Sequence, residues 1–328
     1  MNDTSATTTR DDALGPDVDG AFGADGYVAL PSAVDADACR ALLRSLREGR
    51  AFGPGLFLSE DAFARNPERR GVNPRPGRNI LEGRDLRFIE DNPVVRALLD
   101  RLVGPEPRVV MRKLVCSVPA PWLPPYVAAE IREAPVAMLG PWIRPEYRDV
   151  TYFHGIDYHQ DIIDYRNRPS DFVTLYVYLD DVTENDSPLV VLPGSHAFGA
   201  TVFPHDLAKG AGEDGAFTYS DRRGRSRAVE QRVLTGPAGS VAAWHPCLLH
   251  GTQPVTSPGA RLSVRYILER TSGTETVLDA VNRDVLGPLA LDETRLDVDA
   301  DANIVLRGNA INAQHLGSKS PTGRDGAT

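Results

Sequence analysis

The run Phe172-Val-Thr-Leu-Tyr-Val-Tyr-Leu179 constrains the fold more than any other stretch of the chain. Apart from two leucines its residues are β-branched or aromatic strand formers, and the run has no charged face that a surface helix could turn to water. A strand of this kind is buried and needs partners. Arg108–Val118, Leu189–Leu192, Gly239–Trp244 and Arg261–Leu268 supply them, with a shorter one between Gly26 and Pro31 and turns such as Pro193-Gly194-Ser195 between. In Arg261–Leu268, alternation sends Arg261, Ser263 and Arg265 to one face and Leu262, Val264 and Tyr266 to the other.

Helical signals concentrate toward the N-terminus. Asp35 to Glu48 places Cys39, Leu42, Leu43 and Leu46 at helical spacing and stops at Gly49. Asn92 can cap a second helix, with Pro93 in its first turn and Val95, Leu98, Leu99 and Leu102 as its apolar stripe before Gly104. The pattern predicts a mainly β protein with flanking helices, a double sheet of jelly-roll type. Residues 1–20 and 317–328 lack periodicity and read as disordered tails around one domain over 21–316. Within it, Gly53–Gly83 reads as irregular chain over the surface. Pro119 to Asp149 reads as a proline-rich insertion, either a lid that brings Trp142 and Arg144 to a substrate or a loop whose aromatics pin it to the body.

Charge and cysteine usage narrow the function. With 45 acidic against 36 basic residues the chain lacks the basic footprint of a nucleic-acid binder. Its local basic run, Arg222–Arg227, reads as a solvated hairpin or as a contact for an anionic substrate. No apolar run reaches the length of a membrane span and no signal-peptide pattern opens the chain, which places it in the cytoplasm with a small-molecule substrate as partner. Cys39, Cys116 and Cys247 fit neither a disulfide framework nor a zinc knuckle and read as buried apolar residues. Oligomeric state is not encoded legibly.

The chemistry starts at His159-Gln160-Asp161, directly before the defining strand. In an extended segment the imidazole and the carboxylate project from one face and can share a metal. A second imidazole is needed. His250 and His245 compete for that place, and His250 is preferred because Arg261 follows it at the start of the next strand. Two histidines and a carboxylate on one face of a ferrous ion leave positions open for exogenous ligands, and an arginine beside them can hold a carboxylate two-pronged. Thr252 and Ser263 are candidates for the same cosubstrate. His154 is a candidate substrate contact; His196 reads as structural, and His205 and His315 as surface residues.

These pieces, with Arg168-Pro169-Ser170-Asp171 and Leu189-Val-Val-Leu-Pro-Gly-Ser-His196, resemble the phytanoyl-CoA dioxygenase-like family of Fe(II)- and 2-oxoglutarate-dependent oxygenases, from about Gly26 to about Glu269. The resemblance implies a double-stranded β-helix with a cupin-like site. It implies iron on His159, Asp161 and His250, 2-oxoglutarate paired with Arg261, O2 as oxidant, and succinate and carbon dioxide as products. Hydroxylation of an unactivated C–H bond of a small or mid-sized metabolite, in the manner of natural-product biosynthesis, is the expected outcome. Asp161 stands where related halogenases have a small residue, so halogenation is not expected. A keto-acid-independent iron enzyme and a non-catalytic jelly-roll binding protein share the ligand pattern and are separated from this reading by succinate formation.

Overall fold

In the computed structural model, the described residues are 14, 17–65, 79–132, 136–164, 169–209, 216–271 and 273–286. Arg168, His315 and the expected C-terminal tail lie outside them. Among the described residues, seven α-helices, α1 (Val18–Asp25), α2 (Ala36–Glu48), α3 (Glu60–Ala64), α4 (Arg87–Glu90), α5 (Pro93–Val103), α6 (Pro125–Ile131) and α7 (Val277–Val281), flank two sheets. The larger sheet has ten strands. In chain order they are β1 (Tyr27–Leu30), β2 (Arg108–Ser117), β3 (Val136–Met138), β4 (Thr151–His159), β5 (Phe172–Tyr178), β6 (Leu189–Val191), β10 (Arg232–Leu234), β11 (Val241–Trp244), β12 (His250–Thr252) and β13 (Arg261–Glu269). They run β1-β11-β5-β13-β2-β4-β12-β6-β10, with β3 on β4. The smaller sheet is β7 (Asp206–Lys209), β8 (Ala216–Ser220) and β9 (Ser226–Glu230). The fold is the double-stranded β-helix of jelly-roll type that the sequence suggests.

Alternation on three adjacent strands explains how the sheet serves two purposes. Val173, Leu175 and Val177 of β5, Leu262, Val264 and Tyr266 of β13, and Leu114 and Cys116 of β2 share one core with the apolar stripes of α2 and α5. Tyr176 and Tyr178 of β5 and Val115 of β2 point the other way, into a separate cluster with Phe153 and Trp244. One face is covered by helices and the inner face is left to build a site. Both helices form as expected: Asp35 caps α2 and Asn92 caps α5, each side chain accepting backbone N–H groups of the first turn.

Three expectations change. Order begins before residue 21, because Asp17 accepts the Gly20 N–H to cap α1, Val18 and Phe22 bury themselves, and Asp19 pairs with Arg101 at 2.6 Å. The 119–149 insertion is largely regular: it contains α6, and β3 pairs with β4. Its aromatics pin it down, with Trp142 8% exposed in the helix-side core, its ring 5.8 Å from that of Phe63, and Tyr126 donating to Leu58 O at 2.7 Å. Third, β7–β9 add a sheet that the sequence did not announce. The basic run Arg222–Arg227 is the β8–β9 turn and the start of β9, closed by the Arg225–Asp221 ion pair at 2.6 Å.

Candidate metal centre

Strand register assembles the donors. His250 of β12 pairs directly with His159 of β4, so the two side chains lie on the same face with ring centroids 4.3 Å apart. Asp161 does not continue the strand as the spacing argument assumed. It opens a 3-10 turn, Asp161–Asp164, pinned by Ile162 N–H donating to Pro246 O at 3.1 Å. That turn swings its carboxylate back over the histidines. Asp161 Oδ1 lies 3.9 Å from His159 Nε2 and 3.5 Å from His250 Nε2. Two ligand bonds of about 2.1 Å span at most about 4.2 Å, so these donors can share one ion. Among the described residues, these three form the group able to hold a metal.

The imidazoles are oriented by their own backbone. His159 Nδ1 faces Asp157 O and His250 Nδ1 faces Leu248 O, both at 3.0 Å. A carbonyl only accepts, so each Nδ1 carries the proton and each Nε2 presents its lone pair inward. Burial, with His250 second, pushes the His159 pKa down to about 3, which keeps that ring neutral and ready to ligate. Burial pushes the Asp161 carboxyl up, but the Arg265 guanidinium, followed by His250 and His159, outweighs it and holds the group well below the usual carboxylate range. Asp161 Oδ2, the oxygen turned away from the histidines, accepts Thr174 Oγ1–H at 2.5 Å and Trp244 Nε1–H at 3.0 Å. Arg265 Nη2 donates to Oδ1. The donor set, two imidazoles and an ionised carboxylate, fits ferrous iron.

Arg261 lies on the same inner face, 4% exposed. Its Nη1 donates to Tyr176 Oη at 2.8 Å and Ser263 Oγ at 2.7 Å, and Phe153, Tyr176 and Tyr178 wall it at 5.3 to 5.6 Å from ring centre to guanidinium carbon. Its Nε and Nη2 are buried without a hydrogen-bond partner. An uncompensated buried guanidinium costs several kcal/mol, so this box is built for an anion, and two adjacent N–H groups match a carboxylate.

The remaining candidates fall into place differently. Ser263 positions Arg261, while the Thr252 hydroxyl accepts the Ile156 N–H at 3.1 Å where the β4–β12 register slips. His154 is buried with Nδ1 donating to Val118 O at 2.7 Å, a structural contact. Trp142 packs in the helix-side core, and Arg144 stacks on Tyr147, pairs with Glu146 and donates to Gly55 O, contacts that fasten the insertion. His245 is no ligand: its Nδ1 accepts the Cys247 N–H and its Nε2 donates to Asn282 Oδ1. His205 is not a surface residue but half-buried, bonded through Nδ1 to Thr201 Oγ1 at 2.8 Å, and burial with His250 lowers its pKa to about 3.

Gln160 is fully buried and donates to Gly199 O and Cys247 O while accepting the Thr201 N–H, which locks the segment between two ligands. Sequence reasoning gave it no role and missed Arg265, Thr174 and Trp244. The alternation that put Arg265 on the Arg261 face was the available signal for the first of these.

The family profile described as phytanoyl-CoA dioxygenase (PhyH) matches residues 22–263. The chain is 33% identical over 103 residues to a probable alpha-ketoglutarate-dependent hypophosphite dioxygenase of Stutzerimonas stutzeri, covering 30% of this chain and 34% of that protein. It is 30% identical over 140 residues to the L-proline trans-4-hydroxylase of Streptomyces griseoviridis, covering 40% of this chain and 49% of that one. The matched stretches thus span half or less of these relatives' length. Among solved structures, the alpha ketoglutarate dependent epimerase SnoN from nogalamycin biosynthesis aligns over 84% of this chain and 91% of its own, at 16% identity and a TM-score of 0.49.

Proposed function

The chain belongs to the phytanoyl-CoA dioxygenase family, and from that premise we propose that it is an Fe(II)- and 2-oxoglutarate-dependent dioxygenase that hydroxylates an unactivated C–H bond of a small or mid-sized metabolite. The observation that carries the reading is the buried Arg261, with Nε and Nη2 unpartnered, on the same inner face as the His159, Asp161 and His250 donors. A metal alone would not ask for that guanidinium; a metal with a dicarboxylate cosubstrate does.

His159, His250 and Asp161 would hold the iron through Nε2, Nε2 and Oδ1. Arg261, steadied by Tyr176 and Ser263, would take the distal carboxylate of 2-oxoglutarate, and the aromatic wall of Phe153, Tyr176 and Tyr178 excludes water from that pair. Thr174 and Trp244 hold Asp161 Oδ2, leaving Oδ1 as the ligating oxygen. Bound there, iron with 2-oxoglutarate supplies oxidising chemistry in which dioxygen is consumed, the keto acid leaves as succinate and carbon dioxide, and one oxygen atom goes to the substrate. A relative described as a proline hydroxylase supports hydroxylation of a small substrate as the outcome.

The test needs no substrate. Anaerobic protein is titrated with Fe(II) and then 2-oxoglutarate, and visible spectra are compared for wild type, His159→Ala and Arg261→Ala. A metal-to-keto-acid charge-transfer band is expected in wild type, lost in His159→Ala and requiring more cosubstrate in Arg261→Ala. Iron binding without the band would refute the reading in favour of a keto-acid-independent iron protein.

A further inference from the structure

His205 has no part in the metal centre, yet the chain ties it there. Gln160, which separates two of the metal donors, accepts the Thr201 N–H at 2.9 Å and donates to Gly199 O at 2.8 Å. The segment 199–205 is thereby fastened to the donor segment. Phe203 shares an apolar cluster with Ile162 and Ile163 of the Asp161 turn and with Ile267 of β13. His205 follows, its ring nearly perpendicular to those of Phe203 and Tyr219, with centroids 5.5 and 6.3 Å away. It does not join the three donors that lie within 4.8 Å of one another. The His250 imidazole is nonetheless close enough to add to the burial that keeps the His205 ring neutral.

The hydrogens of this corner can be placed. Tyr219 is fully buried, and among the described residues its hydroxyl has one hydrogen-bond partner, Thr201 Oγ1 at 2.6 Å. A buried phenol O–H left without an acceptor is costly, so Tyr219 donates and Thr201 accepts. The Thr201 hydrogen then goes to its other neighbour, His205 Nδ1, at 2.8 Å. With Nδ1 accepting, the single ring proton of neutral His205 sits on Nε2. That N–H is buried, and among the described residues nothing accepts it. Arg261 carries the same signature, a donor withdrawn from water before its partner arrives.

Position says which partner. Alternation along β13 puts Arg261 and Ile267 on the inner face, about 20 Å apart at the rise of an extended chain. The Arg261 box, with Phe153, Tyr176 and Tyr178, marks one end of that face, and the cluster of Ile267 with Phe203 marks the other. On the oxygenase reading, which this inference presupposes, 2-oxoglutarate runs from Arg261 to the metal and leaves the His205 end to the substrate. We propose that His205 donates its Nε2–H to a carbonyl or carboxylate oxygen of the organic substrate and so fixes which of its carbons faces the metal donors. Thr201 and Tyr219 act through it as positioning residues, because their hydroxyls in series set the tautomer. An analogue lacking that oxygen strands the buried N–H and is rejected.

The test uses wild type, His205→Phe, His205→Gln and Thr201→Val, each loaded anaerobically with Fe(II) and saturating 2-oxoglutarate. Each is titrated with amino and aromatic acids, with their primary amides, and with the matching amines that lack the carbonyl oxygen. Perturbation of the charge-transfer band reports binding. Wild type is expected to bind members of the acid or amide series, and the matching amines at least about tenfold more weakly. His205→Phe should lose about tenfold or more of that affinity while the 2-oxoglutarate dependence of its band is unchanged. His205→Gln restores an N–H donor and should bind more tightly than His205→Phe. Nitrogen NMR of histidine-labelled, zinc-loaded protein should show His205 as the Nε2–H tautomer, with the Nδ1–H form gaining in Thr201→Val. An Nδ1–H ring in wild type, amines bound as tightly as acids, undiminished affinity in both His205 variants, or no series binding to wild type would overturn the proposal. A loss confined to nitric oxide, a stand-in for dioxygen, would overturn it too, because the N–H would then serve a ligand of the metal. A wild type lacking the band at the outset would refute the oxygenase reading, so the two failures are told apart.

Discussion

Thr174→Val tests how the metal ligand is held. Asp161 is 1% exposed, and its Oδ2 rests on two donors, Thr174 Oγ1 at 2.5 Å and Trp244 Nε1 at 3.0 Å. Valine replaces the hydroxyl by a methyl of similar size, so one bond is lost and no cavity opens. A hydrogen bond to a charged group contributes about 1.5–3 kcal/mol. Trp244 remains on the same oxygen, which places the expected loss of apo-protein stability near the low end, about 1.5–2 kcal/mol. The carboxylate also gains freedom to rotate Oδ1 away from the histidines, and loss of such an orienting partner costs about 10- to 100-fold in metal affinity. Denaturant unfolding of the apo-protein gives the first quantity. Anaerobic Fe(II) titration against a competing chelator gives the second, and Trp244→Phe alone and combined with Thr174→Val gives the coupling between the two donors. A stability change below about 0.5 kcal/mol together with wild-type metal affinity would refute the assignment of this hydroxyl to Asp161.

Other substitutions separate scaffold from site. Trp142→Ala should cost about 3–5 kcal/mol of stability by urea unfolding, as expected for a large core side chain, while leaving the 2-oxoglutarate band unchanged; a shifted band with little lost stability would restore the lid reading. Gln160→Leu strands two carbonyls and an N–H group in the interior, an expected loss of about 3 kcal/mol or more, and a cost under about 1 kcal/mol would mean that water replaces the amide. Burial, with His196 adding to it, lowers the His245 pKa to about 3. The unfolded chain therefore takes up a proton near pH 6.5 that the folded protein refuses, so stability is untouched above about pH 6.5 and falls below it by about 1.4 kcal/mol per pH unit for this group. Apo-protein His245→Gln should show a shallower acid limb between about pH 6 and pH 4 by urea unfolding, and an unchanged limb would count against a neutral buried His245.

What could be read in advance followed the range of each interaction. The helices over Ala36–Glu48 and Pro93–Val103 announced themselves because cap, stripe and stop are local. The grouping of His159, Asp161 and His250, with Arg261 on the same inner face, was legible because few residue types can donate to a metal or pair with a carboxylate and these flank strong strands. The path of Asp161 was not, since a 3-10 turn pinned by Pro246 O depends on a segment far along the chain. Thr174, Trp244 and Gln160 looked like ordinary strand or spacer residues, and their partners appear only when β4, β5 and β11 come together. The sheet β7–β9 was missed because its strands are mostly exposed and carry little apolar alternation. Asp17–Asp25 was missed because a single cap and two buried residues define that helix.

Each histidine of the metal centre is held by the carbonyl two residues upstream, Asp157 O for His159 and Leu248 O for His250. Aim and tautomer thus travel with three consecutive residues of backbone rather than with the surrounding wall. The side chains that line the cavity can drift, enlarge or change sign without turning the imidazoles, so selection on what enters the site is uncoupled from selection on what binds the metal. A scaffold with that separation can acquire new substrates one wall residue at a time and remain metal-competent at every step.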